Sequence, residues 1–260
     1  MLARTRGAEY SPHMKLVTVT LLACLLPVTA ARAETGNEVL GLVDQAINSF
    51  TDGTFESKLK IYEPNGTARE LLFTTYQKVP GKRLARFSGP GDVKGMGVLV
   101  EDKDTMYVYL PGFQKVRRVG THVKNQTFMG SDFSYEDMSN TRYGAIYDAK
   151  LVSQDDKKWE IELAVKPGVE IEYPRVKMWV LKQAHQPSKI LFQDASGKTL
   201  KTQEFMDYKQ DGSNHWGPSR LMVTDHRRND HKSEIVFTGV KLNTGLKDDL
   251  FTQRSLLRGQ

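Results

Sequence analysis

At residue 54 the hydrophobic pattern changes period, from that of a helix to that of a strand, and it keeps the second period almost to the end of the chain. Over 54–63, Phe55, Leu59 and Ile61 alternate with Glu56, Lys58 and Lys60, which predicts a strand with one face in water. Pro64-Asn65-Gly66 supplies a turn, and a second strand is expected over 68–79 before Pro80-Gly81 turns the chain again. Further short strands are predicted at 83–88, 96–101, 105–110 and 114–119, and then at 145–153, 157–165, 175–182, 189–194, 200–208, 220–225 and 234–242. About a dozen strands joined by tight turns, with no alternation of strand and helix, describe a meandering antiparallel sheet. A sheet of that size has to curl or close on itself.

One long helix precedes the strands. Val39, Leu42, Val43, Ala46, Ile47 and Phe50 form a single apolar stripe at helical spacing. Thr35 is placed to cap it, Asp52-Gly53 to stop it, and the stripe needs a partner surface. Residues 120–144 show no clear period, yet Phe128, Met129, Phe133, Tyr135 and Met138 occur there among Gly, Ser, Asp and Asn. A stretch this long without structure of its own is uncommon and often functional, and its apolar residues must cover something. A short helical turn is expected at 247–251.

Residues 1–33 read as an export signal. Lys15 is followed by an apolar run over 16–28 and then by Ala31-Arg32-Ala33, the order of basic, apolar and small residues that a signal peptidase recognises. The run is shorter than the roughly 20 apolar residues a membrane span requires. Residues 1–13 carry no pattern, so Met14 is the expected true start. The only cysteine, Cys24, lies within the run at Leu21-Leu22-Ala23-Cys24. Cleavage there would leave a lipid-anchored protein; cleavage after Ala33 would leave a soluble periplasmic one without thiol or disulfide chemistry. Residues 34–260 then form one β domain. The net charge of +6 is partly carried by the leader, and what remains is too mild and too evenly mixed to indicate nucleic acid.

Motifs for chemistry are scarce. There is no G-x-S-x-G elbow around Ser131, and Gly95-Met96-Gly97 fits no nucleotide fingerprint. His226 and His231, with Asp225 and Asp230 beside them, make the best case for an enzyme, but they lack metal-ligand spacing and suit a polar strand end better. Glu136-Asp137 and Asp248-Asp249 are adjacent acids of the kind that favour helix starts. No enzymatic activity, metal or cofactor is therefore expected. The concentration of Phe and Met on turns and in the mid-chain stretch suits an adaptable apolar surface.

Two segments resemble a known family. Tyr107-Val108-Tyr109-Leu110-Pro111-Gly112-Phe113-Gln114-Lys115-Val116-Arg117-Arg118 and Gly130-Ser131-Asp132-Phe133-Ser134-Tyr135-Glu136-Asp137 are similar to stretches of the bacterial outer-membrane lipoprotein-sorting proteins, relatives of the periplasmic lipoprotein carrier LolA. Met178-Trp179-Val180, Lys189-Ile190 and Asp207-Tyr208 resemble the family less specifically. The resemblance implies a mainly β, α+β fold: a strongly curved, incompletely closed antiparallel barrel with an N-terminal amphipathic helix and short helical lid segments, as in LolA and LolB. It implies a lipid-binding chaperone of lipoprotein transport, a monomer working between an inner-membrane transporter and an outer-membrane acceptor. It also implies an arginine that locks the lid, although spacing singles out none. The cargo is left open between lipoprotein acyl chains and another lipid or hydrophobic compound. A non-catalytic envelope scaffold or sensor, or an accessory of an RND-type transporter, is the alternative. Candidate lining or lid residues are Val39, Leu42, Val43 and Ile47 on the helix and Phe55, Leu59, Ile61, Leu71 and Phe73 on the first two strands. Phe113, Phe128, Met129, Phe133 and Met138 are added from the turns and the mid-chain stretch. Plain core packing is the competing explanation for each.

Overall fold

The computed structural model describes Met1 and residues 34–258, except residues 103, 140–141 and 211–214. The export signal and Cys24 lie outside the described residues. Helix α1 (Gly36–Ile47) starts at a capping box: Thr35 Oγ1 accepts from the Glu38 backbone N–H at 3.2 Å, and Glu38 Oε2 accepts from the Thr35 N–H at 2.7 Å. Gly36 lets the helix start against the backbone of residues 149–150, since a Cβ there would lie 2.5 Å from the Ala149 carbonyl oxygen. Asn37 Oδ1 accepts from the Ala149 N–H at 2.7 Å, so the helix start also satisfies a donor on a sheet-edge strand.

Thirteen strands follow: β1 (Asp52–Tyr62), β2 (Ala68–Lys78), β3 (Lys82–Gly89), β4 (Gly97–Val100), β5 (Met106–Leu110), β6 (Lys115–Arg118), β7 (Tyr147–Gln154), β8 (Lys158–Val165), β9 (Arg175–Leu181), β10 (Gln186–Gln193), β11 (Thr199–Gln210), β12 (Trp216–Asp225) and β13 (His231–Leu242). They form one antiparallel sheet in the order β6-β5-β4-β3-β2-β1-β13-β12-β11-β10-β9-β8-β7. The first and last strands pair at its middle, with Leu59 opposite Ile235. Because β6 and β7 do not pair with each other, the sheet curls into a barrel that stays incompletely closed. Strands β10 and β12 begin earlier than the sequence pattern suggests, each running through a proline. Pro187 sits at a register shift against β9, and Pro218 lies where β12 pairs with β11 only, before its pairing with β13 begins at Arg220. A proline is tolerated where the ladder does not need its missing N–H.

Two apolar clusters line the concave side. Val39, Leu40 and Val43 of α1 pack on Trp159, Ile161, Met178 and Ile190 of β8–β10. The other cluster joins Leu59, Ile61, Leu71, Phe87 and Val98 to Phe128 and Phe133 of the mid-chain stretch. That stretch is more ordered than its sequence suggests: it contains a single helical turn at Thr121–Val123, helix α2 (Tyr135–Ser139) and another turn at Tyr143–Ala145. Ser134 and Asp137 cap α2 reciprocally, at 3.2 and 2.7 Å. At the C-terminus the expected turn occurs at Asp248–Phe251 and continues into α3 (Gln253–Arg258). Leu256 of α3 is fully buried with Leu84, Leu99 and Phe251 on the convex face. Gly97 permits this approach, because a Cβ would lie 2.5 Å from the Leu256 side chain. Among the described residues no helix is long and apolar enough to cross a membrane.

Candidate functional site

The concave face is not completely filled. Between its two clusters lies an open cavity of about 350 Å³, within the range of small-molecule sites. Its walls are Phe55 and Leu59 of β1, Phe73, Thr75 and Gln77 of β2, Arg83, Ala85 and Phe87 of β3, and Val98 and Val100 of β4. Gln186, Gln203, Phe205, Leu221, Ile235 and Phe237 contribute from β10–β13, and Ile47 and Phe50 also line it. A second hollow of about 320 Å³ shares Phe55, His215, Pro218 and Phe237 with the first.

Phe128, Phe133, Met138 and Tyr143 cover the cavity from the mid-chain stretch. Phe128 lies against Phe87 at 5.5 Å between ring centroids and edge-on to Tyr135 at 5.4 Å. Polar groups of the barrel wall hold the cover in place. Asp132 has a fully buried side chain and accepts from Arg228 Nη1 at 2.8 Å, His231 Nδ1 at 2.8 Å and Ser233 Oγ at 2.6 Å. Arg228 also donates to the Ser131 and Gly130 carbonyls at 2.9 and 3.1 Å, and Arg69 donates to the Met129 carbonyl. Lys201, 1 % exposed, pairs with Asp137 Oδ2 at 2.9 Å. Burial opposes the Lys201 charge, but the Asp137 carboxylate and the Tyr173 phenol outweigh it and hold the ammonium above the ordinary lysine range. Arg83 donates from Nη1 to the Met138 carbonyl at 2.7 Å. Burial pulls its guanidinium down to about 10, which leaves it cationic at neutral pH.

The structure divides the residues singled out from the sequence. Ile47, Phe55, Leu59, Phe73, Phe128, Phe133 and Met138 line the cavity. Val39 and Val43 do not, because α1 turns its stripe onto β8–β10, and Leu42 packs at the margin of the same cluster. Ile61 and Leu71 are core beyond the cavity, and Met129 packs at that core's edge. Phe113 is 66 % exposed, with the Arg117 guanidinium 5.7 Å from its ring centre. His226 and His231 are absent from the cavity wall: His226 bonds Thr202 and Asp230, and His231 bonds Asp132. Sequence reasoning missed the polar lining, Gln77, Arg83, Gln186, Gln203 and His215. The available signal was register: Arg83 shares its strand face with Ala85 and Phe87, and Gln77 with Phe73 and Thr75. Among the described residues no group of three His, Cys, Asp or Glu is arranged to hold a metal ion.

Known proteins place this architecture. A structure described as an outer membrane lipoprotein-sorting protein domain, from Vibrio parahaemolyticus, superimposes with a TM-score of 0.77 at 24 % identity, covering 86 % of this chain and 98 % of that one. A DUF1329 family protein from Desulfovibrio piger gives 0.77 at 26 % identity, covering 85 % and 97 %. A LolA superfamily protein from Nitrosomonas europaea gives 0.70 at 18 % identity, covering 86 % and 100 %. No curated protein matches the sequence. A family model whose description is "uncharacterized protein" matches residues 80–258. The chain belongs to that family, and its fold is LolA-like.

Proposed function

We propose that this protein is a periplasmic carrier that holds an acyl chain of a lipoprotein, or of another lipid, in the cavity beneath Phe128, Phe133, Met138 and Tyr143 and passes it towards the outer membrane. The observation that carries the reading is an open apolar cavity whose cover is fastened by discrete polar clamps. An acyl chain leaving water gains about 0.8 kcal/mol per methylene. Walls of Phe, Leu, Ile and Val supply that gain without directional bonds, so release requires only a better apolar partner. The sorting-protein description of the Vibrio structure supports the same cargo class. Arg83 is the residue we assign as the lid lock that the family resemblance implies, since it joins β3 to the carbonyl of Met138 in α2. The same reading makes the protein a binder with no catalytic task.

Export by the signal at 1–33 and a single domain over 34–260 complete the proposal. Residues 34–260 form one compact unit. A monomeric shuttle of this kind requires a donor in the inner membrane and an acceptor beyond it. The test is native mass spectrometry, with lipid extraction, of the mature chain purified from a bacterial periplasm. About one acyl-bearing molecule per chain is expected. A bare protein mass, together with failure to take up a fluorescent fatty acid, would overturn the carrier reading.

A further inference from the structure

The cavity is apolar but not electrically neutral. Arg83 is in its wall, and its only protein partner among the described residues is the Met138 carbonyl. A guanidinium has five N–H donors, so most of them have no acceptor among the described residues. Among the described residues no carboxylate lies within ion-pair distance of Arg83, and the acid on the cavity wall, Asp137, is paired with Lys201. Arg83 is half-buried, and burial lowers its guanidinium. A charge placed in an apolar site without a counter-ion is costly. If Arg83 only tied down the lid, a neutral donor would serve the Met138 carbonyl at lower cost.

Its surroundings supply more donors. Gln77 of β2 is the cross-strand partner of Arg83, and both side chains reach the cavity. Thr75 lines the same wall one inward position further along β2. Arg83, Gln77 and Thr75 thus form a cationic, donor-bearing patch in the part of the wall that also carries Phe87 and Phe73. A planar guanidinium with free N–H groups matches the oxygens of a carboxylate or a phosphate.

We infer that the ligand of this cavity is an anionic amphiphile, whose carboxylate or phosphate sits against Arg83 and Gln77 while its acyl chain lies among the phenylalanines. The inference rests on the carrier reading and narrows its cargo to lipids with a negative head.

The experiment compares three probes with the same chain, hexadecanoate, hexadecyl phosphate and hexadecanol, by calorimetric titration of the delipidated mature protein. The wild type should bind at least one anion ten or more times tighter than the alcohol, a difference of at least about 1.4 kcal/mol. The tighter of the two anions separates a fatty acid from a phospholipid source, and equal affinity for both identifies a general anion seat. Arg83→Met should abolish the preference while still binding the alcohol, and Arg83→Lys should keep part of it. Equal wild-type affinity for acid and alcohol would overturn the anionic head and leave the carrier standing. A preference that survives in Arg83→Met would overturn the assignment to Arg83. Failure of all three probes to bind would overturn the carrier reading itself. The wild-type comparison needs no variant to fold.

Discussion

Replacing Asp132 by alanine removes the acceptor on which the cover of the cavity converges. In the folded protein this carboxylate has no solvent access and receives Arg228, His231 and Ser233, while its own N–H donates to Ser233 Oγ at 3.0 Å. Alanine leaves Ser233, which is fully buried, and His231 without this acceptor, and it leaves the Arg228 charge unneutralised on that side. Breaking one partner out of a buried charged network costs about 3–5 kcal/mol, a large share of the roughly 5–15 kcal/mol that holds a domain together. For a chain of this size, each kcal/mol lowers Tm by about 2–4 °C, so the expected fall is about 6–20 °C.

The assay is urea unfolding of wild type, Asp132→Ala and Asp132→Asn, with hydrogen exchange read at the Phe128 and Ser131 amides. Those amides bond the Phe133 and Phe128 carbonyls within the clamped segment. Asparagine keeps the shape and an oxygen for Ser233 but loses the charge opposite Arg228, so it should fall between the other two. Exchange at both amides should speed up in Asp132→Ala by more than the global loss accounts for, because the cover loosens before the barrel opens. A stability loss below about 1 kcal/mol, compared with the 3–5 kcal/mol expected, or unchanged exchange at Phe128, would refute the view that Asp132 pins the cover.

Three further outcomes are expected. Ala85→Phe places a ring in the cavity and should abolish uptake of a fluorescent fatty acid, at a cost of no more than about 1–3 kcal/mol; retained uptake would place the ligand elsewhere. Stability should fall with acid. Burial pushes the Asp52, Asp225 and Glu234 carboxyls up, but hydrogen bonds from Thr244 and Gly245, from Arg227, and from Arg220 and Tyr62 respectively prevail and hold all three below their ordinary values. Their contribution is full above the unfolded values near 4 and is lost as pH falls through the lower folded ones. Asp44, raised by burial, works in the opposite direction. Urea midpoints at pH 7, 4.5 and 3 should therefore drop mainly between the last two, and a flat profile would contradict the assignment. Thr35→Ala removes one half of the capping box and should cost about 0.5–2 kcal/mol in urea unfolding; a silent substitution would mean that α1 is held by its packing alone.

The strands were readable because most turns are marked by Pro, Gly, Asn or Asp and because strands such as β1 alternate wet and dry faces. Helix α1 was readable from its stripe and its cap. What escaped was whatever depends on contacts distant in sequence. Helix α2 is one turn long, too short for a period, and exists because Ser134 and Asp137 cap it and the barrel wall holds it. Helix α3 presents one fully buried leucine, Leu256, to a pocket that Gly97 leaves open.

The site was half legible for a related reason. An apolar residue on a strand announces burial but not whether the buried side is filled or hollow, so Phe55 on the cavity and Ile61 in the core read alike. The charge in the cavity was concealed more thoroughly. On a strand with one wet face, an arginine is assigned to water by its own chemistry. On strand β3, Leu84 is sealed beneath α3 on the convex side, while Ala85 and Phe87 face the cavity on the other. Period alone therefore gives Arg83 no outward direction. Its register with Ala85 and Phe87 reads as inward once Leu84 is seen to be covered from a segment about 170 residues downstream, a contact that no local pattern encodes. A binding site built from such residues is hidden by the same closure that creates it, and the charge is the part of it that says what the cavity selects.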